Sequence, residues 1–378
     1  MNIPKTLSAA AAVAALLSSA CGGADPTSQE DNETVIPSDT LVLSDTVGVL
    51  QGDSLEMFGS LSEVLPVPEG IMILDRITCR ITLFDREGNP LITSGGRGSG
   101  PGEYTNPFRM CRLAGGQYFV YEMTSGGTTL LDPCLNFIQS GSMNTRLPLK
   151  VAPGTDSMVV IKEIGIQFEE ERLTGGYSIY SLNTFTGEEG CVYTEYIEPL
   201  GADEVDLRPH FCFFTTDTSG NVYLADYDSD EYSIRVLSPQ GDPLDTLTIS
   251  SAGEREEYHR EIHSLRFLPI TIPVSVSTED GSSELKVTEP ELQPYVSALA
   301  VGPEGNIWSR RSGVADSETW DVISPEGERL REVVLKADTA GGGYYPLLHI
   351  SPFGLAATFS TEETCQHFFT VKQAGEVE

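Results

Sequence analysis

The stretch Ile92–Phe108 reads ITSGGRGSGPGEYTNPF and is the densest glycine cluster in the chain. An apolar, strand-like run lies on each side of it. Because glycine adopts backbone angles that other residues avoid, such a cluster predicts a tight connection that redirects the chain. Two interpretations compete, a loop that cradles phosphate and a corner between two packed sheets. The phosphate loop is disfavoured, since no Gly-x-x-x-x-Gly-Lys-Ser/Thr motif is present and Pro101 and Pro107 interrupt any following helix.

A repeating unit extends from residue 40 to the end of the chain. In each copy an apolar run meets a glycine turn, and further apolar runs and a second glycine turn follow. A four-stranded meander repeated about every forty residues is typical of a propeller blade. Six copies are visible, and a seventh inside 250–294 is the alternative count. The first turns of the six copies contain Gly70, Gly116, Gly154, Gly220, Gly305 and Gly354.

The segment Gly96–Tyr104, followed by Pro107, resembles a known signature. It is similar to the Gly-x-Gly-x-Gly-Pro-Gly-Glu-Phe…Pro motif of bacterial six-bladed β-propeller lipoproteins related to NHL-repeat proteins, with Tyr104 in place of the usual Phe. The segments Tyr295–Trp308 and Trp320–Gly327 match the same family. The resemblance covers most of residues 45–372 and implies an all-β, six-bladed β-propeller. It also implies a non-catalytic binding or scaffold role at the cell envelope.

The last repeat offers three strands before the chain ends. We expect Leu41–Leu50 to supply a fourth strand, so that an N-terminal strand closes the last blade and removes exposed sheet edges. The predicted organisation is a signal peptide (1–20), a flexible acidic tether (21–39) and a propeller (40–378). Insertions are expected near 163–176 and 250–294, the second with a helical candidate, Ala252–Leu265, and a hairpin around Thr278–Gly281.

The N-terminus has the features of a secretory signal. Lys5 provides a positive charge, and the apolar run Leu7–Leu17 is too short to span a bilayer as a stable helix. Ala20-Cys21 resembles a bacterial lipobox, with Ser18 where Leu is usual, so we expect lipidation of Cys21. Cleavage near Ala20 without lipidation is the alternative. The expected product is a cell-envelope lipoprotein, periplasm-facing or at the surface, and Gly22 instead of Asp after the cysteine favours the outer membrane.

The composition is strongly acidic, with 23 Lys and Arg against 56 Asp and Glu and a formal net charge of −33. Nucleic acid is disfavoured as a partner, because phosphate recognition requires clustered basic residues. Electrostatic docking on an anionic membrane is disfavoured too, so contact with the membrane is expected through the lipid alone. The expected partner is a protein, peptide or glycan at the cell envelope, and the protein is expected to be a monomer.

Seven cysteines occur, and six remain if Cys21 carries a lipid. An even number in an oxidising compartment permits disulfides, and Cys111–Cys134 and Cys191–Cys212 are the candidate pairs. Buried free thiols are the alternative, particularly for the cysteines on predicted inner strands. No Cys-x-x-Cys motif is present, so the sequence does not predict zinc or thioredoxin-like chemistry.

Two further clusters are weak metal candidates. His259 and His263 would share one face of a helix, but a solvated charged helix explains the same pattern. The segment Asp226–Glu231 resembles the start of a calcium loop, but it lacks the required glycine at the sixth position. We therefore predict no metal, no cofactor and no catalytic residue. The alternative is a metal-dependent, lactonase-like propeller hydrolase with its site in the central channel.

The glycine-rich corner carries the remaining candidate site. Arg97 and Glu103 are expected at a rim of the channel, where loops gather and ligands are bound. The alternative is that the two side chains pair with each other or cap backbone groups. The sequence therefore favours a binding protein over an enzyme, with Arg97 and Glu103 as its candidate ligand rim.

Overall fold

Antiparallel hairpins build almost all of the protein, as the spacing of its glycine turns predicts. The structure is a computed structural model. It describes residues 36–41, 46–47, 55, 57–143, 148–169, 172–197, 204–206, 208, 212–227, 230–249, 255, 257, 275–278, 281–284, 286–288, 291–312, 317–336, 345–360 and 367–372.

Three sheets come from the first part of the chain, and each has four consecutive antiparallel strands. The first contains β3 (Leu61–Val67), β4 (Gly70–Asp75), β5 (Arg80–Phe84) and β6 (Pro90–Gly95). The second contains β7 (Pro107–Arg112), β8 (Tyr118–Glu122), β9 (Gly127–Leu131) and β10 (Phe137–Ser142). The third contains β11 (Pro148–Pro153), β12 (Met158–Glu169), β13 (Arg172–Asn183) and β14 (Glu189–Ile197).

Three more sheets follow in the second part, and two of them include strands from the N-terminus. One contains β16 (Phe213–Thr216), β17 (Val222–Ala225), β18 (Ser233–Leu237) and β19 (Pro243–Thr248). The next contains β23 (Val296–Val301), β24 (Ile307–Arg311), β25 (Ser317–Ile323), β26 (Arg329–Lys336) and β1 (Ser38–Leu41). The last contains β27 (Tyr345–Ser351), β28 (Gly354–Ser360), β29 (His367–Lys372) and β2 (Thr46–Val47).

Minor elements occupy the connections. A parallel pair joins β15 (Glu204–Asp206) to β22 (Lys286–Thr288), and a hairpin joins β20 (Ser275–Thr278) to β21 (Gly281–Glu284). A 3-10 helix, Pro303–Gly305, forms the turn between β23 and β24.

Adjacent sheets pack against each other through shared hydrophobic clusters. This packing continues from the first sheet to the last and back to the first, so the sheets form a ring. The second sheet contacts the first through Tyr118 and the third through Phe119. The last sheet returns to the first, because Ala356 of β28 packs in one cluster with Val64 and Ile71. Burial decreases outwards, from β4, which is buried throughout, to β19, which is exposed at five of its six residues. Side chains between adjacent sheets therefore form the core, and the outermost strands face solvent.

These features confirm an all-β propeller and correct its predicted details. Within the described residues five sheets have the expected four strands, whereas the sheet β23–β26 carries β1 as a fifth. The predicted closing segment Leu41–Leu50 is divided. Its residues Thr46–Val47 pair antiparallel with β29 of the last sheet, but Leu41 pairs with Leu335 of β26.

The predicted insertion near 163–176 takes the form of a longer hairpin. β12 and β13 continue their pairing as far as Glu169 and Arg172, so this segment extends the third sheet. The hairpin predicted around Thr278–Gly281 is present as β20 and β21. Most of the helical candidate Ala252–Leu265 lies outside the described residues.

The glycine-rich corner connects β6 to β7 and folds around one buried aromatic ring. Tyr104 is 1% exposed, and its backbone N–H donates to the Gly96 carbonyl at 2.9 Å. Gly102 has a φ of +75°, and Gly95 has a φ of +92° with a Cβ added there only 2.7 Å from the backbone oxygen of Cys79. The glycines are therefore required by backbone geometry and close approach, which supports the corner between sheets and not the phosphate loop.

Candidate functional site: the central channel

The innermost strands of the ring enclose a cavity of about 400 Å³, here called the central channel. Its size is within the range of small-molecule sites. The channel reaches exposed residues in the turns that follow the innermost strands, Ala114, Thr218 and Phe353. It therefore opens at that end, here called the mouth. The innermost strands that line it are β3, β7, β11, β16, β23 and β27, and Trp320 of β25 adds to them.

Three charged side chains lie at one height on consecutive innermost strands. Glu63, Arg109 and Lys150 each follow a register shift in β3, β7 and β11 respectively. Each also stands four residues before the position where its strand turns into the next, so the three are equally distant from the mouth. We call Glu63, Arg109 and Lys150 the charged layer. Glu63 and Lys150 line the channel itself.

The cations of the charged layer are held in place by backbone carbonyls. Arg109 donates from Nε to Leu149 O at 2.8 Å, and its guanidinium stacks on the Phe108 ring at 4.0 Å. Lys150 donates from Nζ to Leu299 O at 2.7 Å. Because β11 and β23 are separated by the sheet of β16, the Lys150 side chain extends across the channel. An ammonium has three donors, so Lys150 can bind further acceptors in addition to this carbonyl.

Burial shifts the ionisation of all three groups. It raises the pKa of Glu63, against the attraction of Arg109 and Lys150 and a hydrogen bond from the Met110 backbone. Burial lowers the pKa of Arg109, and it lowers the pKa of Lys150 to about 8, against the attraction of Glu63. Two cations thus face one carboxylate, and the layer has an excess of positive charge inside a strongly acidic protein.

Apolar side chains fill most of the space between the charged layer and the mouth. Two residues nearer the mouth, Leu65, Cys111, Ala152, Thr215, Ala300 and His349 occupy the corresponding positions of the innermost strands. His349 Nε2 lies 3.0 Å from Thr358 Oγ1, and burial together with the nearby Arg310 lowers the pKa of His349 to about 4. The imidazole is therefore neutral at pH 7 and adds no charge to this part of the channel.

The mouth carries one cation and one carboxylate. The Arg112 guanidinium lies 4.9 Å from the centre of the Phe353 ring, which is 39% exposed. Asp217 accepts hydrogen bonds from the backbone N–H groups of Ser219 and Asn221 at 2.8 and 2.9 Å. Asn221 Nδ2 also donates to Asp217 Oδ2 at 2.8 Å, so the turn occupies both Asp217 oxygens. Arg112 is hydrogen-bonded to Tyr118 and lies over the Phe353 ring at the edge of the mouth.

The residues predicted as a ligand rim lie at the other end of the strands. Arg97 donates from Nη2 to Ile77 O at 3.1 Å, and Glu103 accepts from the Gly100 backbone N–H at 2.8 Å. Both side chains cap backbone groups, and neither lines the channel. Cys21, the predicted lipidation site, lies outside the described residues, as do His259 and His263.

The remaining candidates from the sequence are a metal site at Asp226 and two disulfides. Asp226 forms an ion pair with Arg235 at 2.6 Å, and the described residues contain no group of three His, Cys, Asp or Glu placed to hold a metal ion. The candidate disulfides Cys111–Cys134 and Cys191–Cys212 are wrong, because all four cysteines are free thiols. Cys111 and Cys212 are buried, whereas Cys134 and Cys191 are exposed.

Comparisons with known proteins show the fold alone. No protein-family model matches the chain, and no curated protein matches its sequence significantly. A solved structure of a member of the DUF4221 family from Bacteroides vulgatus has a TM-score of 0.53 and 11% identity, over 88% of this chain and 98% of that one. A Bacteroides fragilis protein provisionally described as exported has a TM-score of 0.48 and 10% identity, over 90% and 100% of the two chains. A streptogramin B lyase has a TM-score of 0.41 and 12% identity, over 87% and 97%.

The protein is thus similar in fold to solved β-propeller proteins. At sequence identities of 11% and 12%, the activities of those proteins are not assigned to this protein. Among the residues that the structure describes, no helix is long and apolar enough to cross a membrane.

Proposed function

We propose that the protein is a non-catalytic binding protein of the cell envelope that takes its ligand into the mouth of the central channel. In this proposal each sheet of the ring is one blade, so that the five-stranded sheet is a sixth blade with β1 added at its outer edge. The ligand is a small molecule or a narrow part of a protein, peptide or glycan. Arg97 and Glu103 remain predicted contacts at the opposite end of the ring.

The observation that carries the proposal is an open cavity of about 400 Å³ with convergent polar groups in an apolar lining. Such a combination is characteristic of ligand sites, where apolar surface provides affinity and a few polar groups fix orientation. Excess positive charge in the charged layer is unfavourable for a divalent cation, so the metal-dependent hydrolase receives no support from these residues. A binding role needs only the cavity and its lining.

A channel-filling substitution tests this proposal. We expect ligands found by thermal-shift screening to raise the melting temperature of the parent protein but not of Ala300→Leu, because the larger side chain occupies the channel. Ser140→Leu on the exposed face of β10 is the matched control and should respond like the parent. Equal shifts in all three proteins would place the site elsewhere, and melts with calcium and then a chelator test the hydrolase alternative.

The envelope location depends on Cys21 and has its own test. We propose that a lipid on Cys21 anchors the chain in the outer membrane, with the residues between Cys21 and β1 as the tether; the predicted tether (21–39) is shortened, because Ser38 and Asp39 belong to β1. Replacement of Cys21 with Ser removes the thiol that would carry the lipid, so the variant should move from the membrane fraction to the soluble fraction. Continued sedimentation of Cys21→Ser with the membranes would contradict lipid anchoring.

A further inference from the structure

We propose that the ligand of the central channel is an amphiphilic organic anion, with a carboxylate or phosphate head at Lys150 and an apolar body extending towards the mouth. This inference rests on the proposed binding function and adds the chemical class and the orientation of the ligand.

The head is placed by the charged layer. Lys150 reaches into the channel and uses one donor on Leu299 O, which leaves its other donors for an anion. Arg109 lies at the same height and provides a second positive charge, although its Nε is bound to Leu149 O. Charge-assisted hydrogen bonds to a carboxylate or phosphate are strong in such a partly buried setting.

Glu63 is the counter-ion of Arg109 and Lys150 before a ligand binds. Burial raises the pKa of Glu63, and the nearby Arg109 and Lys150 oppose this effect because they attract its ionised form. An incoming anion competes with Glu63 for Lys150. The carboxylate therefore acts as an internal counter-ion that weakens binding, and its removal should strengthen binding.

The body is placed by the lining between the charged layer and the mouth. Leu65, Ala300 and Leu348 present apolar atoms there, and His349 is neutral. Burial of an apolar chain against them is favourable in proportion to the area removed from water. A cationic ligand would be repelled by the charged layer, and a compact inorganic anion would leave the apolar lining unfilled.

The test uses the full-length chain with Cys21→Ser and the probe octanoate, with octanol as its neutral analogue and octylamine as its cationic one. Calorimetry should show that octanoate binds at least about 10-fold more tightly than octanol and that octylamine does not bind. Octyl phosphate distinguishes a phosphate head from a carboxylate head.

Substitutions then locate the head. We expect Lys150→Met to weaken octanoate binding by about 10- to 100-fold and to leave octanol binding unchanged. Glu63→Gln should strengthen octanoate binding by a few fold, on the order of a weak ion-pair effect. Arg112→Met tests the alternative position of the head at the mouth and should weaken octanoate binding less than Lys150→Met. Arg86→Met on an exposed turn is the matched charge control and should leave octanoate binding unchanged.

The pH dependence provides an independent measurement. Lys150 faces Glu63 of β3, Arg109 of β7, Lys162 of β12 and Arg310 of β24, and burial lowers its pKa to about 8. The ammonium is present below that pH and is lost above it. Octanoate affinity should therefore fall as the pH rises through about 8 in the parent protein, and Lys150→Met should not show this fall.

Different failures overturn different claims. Equal affinity for octanoate and octanol, or a loss in Arg112→Met and not in Lys150→Met, would overturn the anionic head at Lys150 while leaving a ligand site in the channel. Octanol binding also reports whether Lys150→Met is folded. If no octyl probe binds but the ligands found by screening still need an unfilled channel, the proposed ligand class is wrong and the binding function stands. Absence of any ligand that depends on Ala300 would overturn the binding function as well.

Discussion

Replacing Asp321 with Asn should lower the free energy of unfolding by about 3–5 kcal/mol, the usual cost of breaking a buried ion pair. Asp321 is fully buried in the five-stranded sheet. Arg329 donates to its Oδ1 from Nε at 2.8 Å, and the Tyr232 hydroxyl donates to its Oδ2 at 3.1 Å. The amide is nearly the same size as the carboxylate, so the substitution removes charge and leaves the volume unchanged. Urea unfolding followed by tryptophan fluorescence measures the effect.

The physical cause is the arginine that would remain. Arg329 is 9% exposed, and without Asp321 it retains an ion pair with Glu332 at 3.2 Å, which Arg311 also contacts. The guanidinium groups of Arg329 and Arg311 would then share the Glu332 carboxylate, and the buried Arg329 would lose part of its charge compensation. Asp245→Asn on the exposed strand β19 is the matched control and should change stability by less than about 0.5 kcal/mol. A loss in Asp321→Asn no larger than in this control would show that the network is solvated in the native protein.

Most of the fold could be predicted from the sequence, because short local patterns specify its turns and strands. Glycine turns such as Gly70, at φ +149°, mark where one strand ends and the next begins. The buried run Gly70–Asp75 and the exposed run Pro243–Thr248 distinguish inner from outer strands. The N-terminal arrangement was less accessible, since a short segment such as Ser38–Leu41 has no pattern that selects the edge of β26 over that of β29.

The site was less accessible, because it depends on register between distant strands. Glu63 and Lys150 are each a single charge in an apolar run, and such a residue alone indicates little. Their equal distance from the mouth emerges only when β3, β7 and β11 are aligned on their turns and bulges. Gly70 and Gly116 follow Glu63 and Arg109 by seven residues, whereas Gly154 follows Lys150 by four. Counting back from the turn glycine alone therefore misaligns Lys150 with the other two. The conspicuous charges Arg97 and Glu103 cap backbone groups of the corner, and a ligand contact there stays a prediction.

Deleting residues 36–47 should destabilise the propeller by several kcal/mol, because this segment completes two neighbouring sheets. β1 pairs with β26 over Ser38–Leu41, and β2 pairs with β29 at Thr46–Val47. Without them both sheets would expose edges that favour intermolecular pairing. The deletion should therefore unfold at lower urea concentration and aggregate more readily than the parent protein.

A point substitution separates side-chain packing from the loss of the strands. Leu41 is 4% exposed and packs in one cluster with Trp308 and Trp320, the two tryptophans of the chain. Leu41→Ala should cost about 2–5 kcal/mol, since a buried leucine is replaced by a cavity, and tryptophan fluorescence should report the change directly. Asp39→Ala breaks only the half-exposed contact with Arg331 and should cost less than about 1 kcal/mol. If the deletion and Leu41→Ala both unfold like the parent protein, β1 and β2 do not hold the ring closed; if only the deletion is destabilised, backbone pairing and not Leu41 carries the closure.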